Sequence, residues 1–170
     1  MIDAQLREAA TRVLELCRAR GLHVATAESC TGGLVAAALT EIPGSSDVVD
    51  RGFVTYSDDA KRAMLGVPAA TLKRYGAVSA QTARAMAAGA LKNSRADLAV
   101  SITGIAGPGG GSKQKPVGLV YFAAASRDGR RIGRKRLYGK IGRRRVRLRS
   151  VIEALALLQL LSRPARRKGS

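Results

Sequence analysis

Strand-like apolar segments alternate with helix-like ones along this chain, and that alternation confines it to folds that layer helices on a sheet. "LHVATA" (22–27) reads as a short strand, after which Gly32 and Gly33 open a helix, LVAAALTEI, that stops at Pro43-Gly44. "DVVDRGFVTYS" (47–57) is rich in β-branched and aromatic residues and reads as a second strand. Two helical pieces follow, near 58–65 and after Val67-Pro68, and Ser79 is placed to cap the alanine-rich helix AQTARAMAAGALKNS. "DLAVSITG" (97–104) is a buried-type strand that runs into the loop IAGPGGGSKQKP. VGLVYFAAAS and RIGRKRLY flank Arg127-Asp128-Gly129-Arg130, where the Asp-Gly pair predicts a hairpin. Helices at 3–20, with Leu6, Ala10, Val13 and Cys17 on one face, and at about 142–161 bracket the series. The expected fold is α/β: three α/β/α layers on a mixed, mostly parallel sheet with a C-terminal antiparallel hairpin. It forms a single domain over 1–161 followed by a basic disordered tail over 162–170.

Composition narrows the function classes. No apolar run approaches the ~18 residues that a membrane helix needs. The start, MIDAQLREAATRVLELCRAR, is an amphipathic helix carrying acids rather than a signal sequence, so a soluble cytoplasmic protein without a membrane partner is expected. Cys17, Cys30 and His23 supply too few soft ligands for zinc, and neither a metal nor a cofactor is expected. The net charge of +18 is unevenly distributed: residues 127–170 hold 16 Lys/Arg against Asp128 and Glu153, whereas residues 1–126 carry a net charge of only +4. A field of that sign attracts phosphate-bearing partners and makes such binding salt-sensitive.

Two stretches carry potential chemistry. In AESCTGG (27–33), Ser29 sits where a strand gives way to a helix, beside backbone amides of Thr31, Gly32 and Gly33 that favour negative charge. A cap (Ser29 or Thr31) and an exposed nucleophile both satisfy that placement. A nucleophilic serine needs a base, and the candidates are the lone His23 and Lys61, a lysine whose pKa burial or nearby cations can lower. The glycine-rich loop 104–111 fits neither a P-loop nor a dinucleotide fingerprint, since no Gly-Lys-Ser/Thr follows and the last glycine of the fingerprint is absent. It remains a loop after a strand, a common place for ligand contacts in α/β sheets. Thr103 offers it a hydroxyl donor, and Lys113, Lys115 and Arg143 are candidate phosphate ligands.

AESCTGG (27–33), YSDDAK (56–61), LGV (65–67), GAVS (76–79), TGIAGP (103–108) and KPVG (115–118) occur in one order at suitable spacing. Together they closely resemble the CinA C-terminal domain family over roughly residues 5–160. The resemblance implies hydrolysis of the carboxamide of nicotinamide mononucleotide to nicotinic acid mononucleotide and ammonia, without a metal. It places the nucleophile on Ser29, its lysine base on Lys61 and the motif's tyrosine on Tyr56. Thr103 and Arg143 take the family's threonine and arginine, with Thr31, Gly32, Gly33, Gly104, Ile105, Ala106, Gly107 and Lys115 as further substrate contacts. A homo-oligomer is implied as well. The family's acid beside this arginine is missing here, where Gly142 and Arg143 are followed by Arg144 and Arg145. The second reading is therefore a weakened member that binds nucleic acid or another anion through its basic C-terminal quarter.

Overall fold

The computed structural model describes residues 4–164. Helix α1 (Ala4–Arg18) precedes β1 (Val24–Glu28), α2 (Leu34–Thr40) and β2 (Val49–Val54). Three helices follow, α3 (Asp58–Leu65), α4 (Ala69–Tyr75) and α5 (Ala80–Lys92). The chain ends with β3 (Leu98–Gly104), β4 (Leu119–Ser126), β5 (Arg131–Leu137) and α6 (Arg143–Ser162). The strand order is β2-β1-β3-β4-β5, with β2, β1 and β3 parallel, and β4 and β5 added antiparallel. This is the expected three-layer fold on a mixed sheet.

The two faces of the sheet are packed differently because its residues alternate in size. Val24, Leu98, Val100, Ile102, Val120 and Phe122 point toward α1, α2 and α6 and form the larger core. Burying each such side chain stabilises the fold by roughly 1.5–3 kcal/mol. Ala25, Ala27, Ala99, Ala123 and Ala125 point the other way, so α5 lies close against the sheet through Ala83, Met86, Ala87 and Ala90. On that helix, a Cβ at Gly89 would meet the Leu65 carbonyl oxygen at 1.9 Å, so α5 and the end of α3 touch backbone to backbone.

Local signals held where their chemistry is local. The Ser79 hydroxyl accepts from the Thr82 N–H at 3.1 Å and caps α5, and Ser57 does the same for α3 with Ala60 at 3.0 Å. In the β4–β5 turn, Gly129 adopts φ +95°, and the Asp128 carboxylate accepts from the Arg130 N–H at 3.1 Å. Pairing of β1 with β2 is irregular at its start: Val24 faces Val49, Ala25 faces Arg51, and Asp50 is skipped. Helix α6 continues through Ser162, which is buried, and the expected tail lies mostly outside the described residues. Among the described residues, no helix is long and apolar enough to cross a membrane.

Candidate active site

The parallel strands β1, β2 and β3 end on the same side of the sheet. From β1 the chain departs into α2, which packs in the larger core, and from β2 into α3, which packs in the alanine-lined one. Helices leaving adjacent strands toward opposite faces open a crevice at the strand ends. Pairing continues a step past the strands and fixes its walls: the Ser29 N–H donates to the Ile102 carbonyl at 3.0 Å, and the Thr55 N–H to the Glu28 carbonyl at 2.8 Å.

Lys61 lies one turn into α3 and reaches back into this crevice. Its Nζ is 3.2 Å from Ser29 Oγ and donates to the Thr55 carbonyl at 2.9 Å. The side chain is only 1% exposed. Burial pushes its pKa below the usual lysine value of 10.5, while the carboxylate of Asp58 opposes that shift. Cys30 is buried too, and burial raises its thiol to about 12, so it stays protonated beside the serine. The two candidate bases are placed differently. His23 precedes β1 while Ser29 follows it, roughly 17 Å of strand away, and His23 Nδ1 instead lies 3.4 Å from Asp97.

A cavity of about 290 Å³ opens over the pair, walled by Ser29, Lys61, Tyr56, Asp58, Thr103, Arg143 and the loop residues Gly104 to Gly107. Arg143, first residue of α6, crosses its mouth. One guanidinium nitrogen donates to the Gly107 carbonyl at 3.0 Å and another to Tyr56 Oη at 2.8 Å.

Several expected ligands are committed elsewhere. The amides of Gly33, Val35 and Ala36 donate to the carboxylate of Glu28 at 3.0, 3.1 and 2.9 Å, and the Gly32 N–H donates to the Ser29 carbonyl at 3.0 Å. Gly32 and Gly33 therefore have no amide left for substrate, and they lie outside the cavity wall together with Thr31. Neither Ser29 nor Thr31 caps α2; Glu28, fully buried at the end of β1, takes that place. Thr103 lines the cavity, but its hydroxyl donates to the Ala77 carbonyl at 2.7 Å. Lys115 is outside the wall and holds the Tyr75 carbonyl at 2.6 Å, strapping the glycine loop to the end of α4. Lys113 is exposed and also lies outside the wall.

Three site residues went unread in the sequence. Glu28 falls just past the strand read at 22–27; its signal is an acid ending an otherwise apolar run. Asp58 was quoted only as part of a motif. Arg147 donates through Nε to the Cys30 carbonyl at 3.2 Å and through Nη2 to the Thr31 carbonyl at 3.0 Å. Its signal is the spacing of four from Arg143, which puts both on one face of α6.

Comparison with known proteins identifies the family. A model of the CinA C-terminal domain matches residues 6–161. A nicotinamide-nucleotide amidohydrolase PncC of Enterobacter agglomerans is 48% identical over 155 residues, covering 91% of this chain and 94% of its own length. The protein of the same name from Escherichia coli K12 is 53% identical over 138 residues, covering 81% of this chain and 84% of its own. A putative competence-damage inducible protein of Caldicellulosiruptor bescii is 58% identical over 127 residues, but the match spans only 30% of that longer protein. Among solved structures, the competence/damage inducible protein CihA of Agrobacterium tumefaciens superposes with a TM-score of 0.95 at 56% identity, over 96% of this chain and 99% of that one. The chain belongs to the CinA C-terminal domain family.

Proposed function

We propose that the protein hydrolyses the carboxamide of nicotinamide mononucleotide, giving nicotinic acid mononucleotide and ammonia, with Ser29 as nucleophile and Lys61 as base. The observation that carries this reading is the 3.2 Å contact between Ser29 Oγ and a fully buried Lys61 whose pKa is depressed. A neutral Nζ accepts the serine proton along that line while the Thr55 carbonyl keeps the amine aimed. Ser29 Oγ attacks the carboxamide carbon, the C–N bond breaks, and ammonia leaves with the proton returned by Lys61. Water then attacks the acyl-serine while Lys61 takes its proton; the C–Oγ bond breaks as Lys61 returns that proton to Ser29 Oγ, and the acid product departs, losing its proton to solvent. Tyr56 Oη accepts from Arg143 and lines the cavity beside Ser29, so it is placed to hydrogen-bond the leaving ammonia. Arg143 and loop residues Gly104 to Gly107 take the ribose phosphate, and this remote contact holds the reacting carbon over Ser29. A homo-oligomer belongs to the same proposal and is read by light scattering.

The test is ammonia release from nicotinamide mononucleotide, run beside nicotinamide and nicotinamide riboside. The nucleotide is expected to be turned over, with Ser29→Ala and Lys61→Met inactive yet folded. No turnover by the wild type, or an active Ser29→Ala, overturns the proposal.

The second reading, anion binding by the basic quarter, is weakened by where those arginines go. Arg127 donates to the carbonyls of Leu91, Ser94 and Ala96. Arg134 and Arg136 share Glu153, Arg130 pairs with Asp128, and Arg147 is engaged by the Cys30 and Thr31 carbonyls. A gel shift at low salt, lost when Arg144, Arg145 and Arg149 are neutralised, is what would revive it.

A further inference from the structure

The commitment of the Gly32 and Gly33 amides leaves a question open: which donor receives the negative oxygen that forms when Ser29 attacks a carboxamide. We propose that Arg147 is a positioning residue that prepares the Cys30 N–H for this purpose, acting through two intervening peptide groups. The proposal rests on the serine-amidase reading above.

The path is continuous in the structure. Arg147 Nη2 donates to the Thr31 carbonyl at 3.0 Å. In a trans peptide the N–H of the next residue points opposite to that carbonyl. That N–H belongs to Gly32, and it donates to the Ser29 carbonyl at 3.0 Å. The peptide of the Ser29 carbonyl in turn carries the Cys30 N–H on its far side. Among the described residues no other residue's acceptor takes this N–H, and Cys30 lines the cavity beside Ser29. Only the Cys30 sulfur itself shares this N–H, so it remains available to a substrate oxygen. Hydrogen bonds linked in this way polarise one another by about 10–30% per bond, so a guanidinium at one end strengthens the donor at the other.

Arg147 also fixes the turn mechanically. Its Nε holds the Cys30 carbonyl at 3.2 Å, so one planar fork grips two successive carbonyls. Both partners are neutral, and among the described residues Arg147 forms no ion pair. On the other side the turn is anchored by the Glu28 carboxylate through the α2 amides, so the turn is held from both sides. The neighbouring Arg143, on the same face of α6, has a different part: it crosses the cavity mouth and contacts Tyr56 and Gly107.

Steady-state kinetics on nicotinamide mononucleotide distinguish these parts. For Arg147→Ala, kcat is expected to fall about 100-fold, the loss seen when one oxyanion donor is removed, with KM changed less than about threefold. Millimolar guanidinium is expected to restore part of that kcat, and Arg147→Lys to be intermediate. The pH at which activity rises should stay where it is in the wild type, because Lys61 is untouched. If Arg147→Ala does not fold by thermal melting, Arg147→Gln keeps an N–H donor without the charge, and its kcat should still drop. An unchanged kcat in a folded variant, a loss carried by KM, or a folded Arg147→Ala that guanidinium cannot rescue overturns the assignment. A wild type without turnover overturns the amidase reading and this inference together, whereas an active wild type with a normal Arg147→Ala overturns this inference alone.

Discussion

Two helix starts meet near the Ser29–Lys61 pair, and they are finished in opposite ways. The start of α2 is closed: three of its first N–H groups end on the buried carboxylate of Glu28. The start of α6 is open: Gly142 offers no side-chain cap, its first turn contains no acid, and Arg143, Arg144 and Arg145 stand there instead. Cations at a helix N-terminus oppose the macrodipole, so that end is held at a local electrostatic cost that an anion relieves. The comparison teaches a division of labour. On the proposed function, the helix start supplied with its own carboxylate places Ser29, and the one left positive and uncapped is where a negatively charged ligand would be received.

The sharpest way to separate the two is to remove the chemistry without touching the open start. Ser29→Ala and Lys61→Met should each lower turnover by a factor on the order of 10³–10⁶, while calorimetry should still detect binding of the nucleotide. Lys61→Met should also melt no lower than the wild type, because it removes a desolvated amine from the interior. Loss of binding in both variants would break the comparison.

Next in size is the closed start. Glu28→Ala strands three amides in the interior and should cost about 3 kcal/mol or more by denaturant unfolding, with Glu28→Gln milder. A neutral Glu28→Ala would mean that α2 does not depend on this carboxylate. For the open start, Arg143→Ala should raise KM about 10-fold or more with a smaller change in kcat, and added salt should raise KM for the nucleotide but not for nicotinamide. The smallest effect concerns Asp58, whose charge raises the pKa of Lys61 against the effect of burial. Activity that needs neutral Lys61 rises with pH through that pKa. Asp58→Asn lowers the pKa, so the rising limb of the kcat/KM profile should move to lower pH; a shift upward would contradict the assignment of Lys61 as base.

How much of this was legible in the sequence depends on the range over which each residue acts. The Ser79 cap, the Asp128-Gly129 turn and the order of strands and helices are set by neighbours in the chain, and all were readable. The distinct packing of the two sheet faces follows from alternating size, in the way that Val100 and Ile102 face one core and Ala99 the other. Lys61 by itself was one of two candidate bases, and only its place in an ordered set of motifs singled it out. Thr103 and Lys115 looked like ligands because a hydroxyl and an ammonium after a strand usually are. The backbone carbonyls of Ala77 and Tyr75 that engage them cannot be seen in a string of letters. Arg147 was hidden for the opposite reason, since one arginine among five in a short run carries no mark of facing inward.

The skipped residue at the start of the β1–β2 ladder has a consequence for how this site tolerates change. Because Asp50 is passed over, Glu28 comes to face Val54, and Thr55 follows on to bond Glu28 and to present its carbonyl to Lys61. The distance between Ser29 and Lys61 is thus governed by a count of paired residues rather than by the length of chain between them. Insertions in the 41–47 connection should leave that count intact and be accepted. Deleting a single residue within 50–54 would move a different carbonyl under the lysine and turn every following side chain to the opposite face. A relative of very different loop length can keep the same site, and one of equal length but shifted pairing cannot.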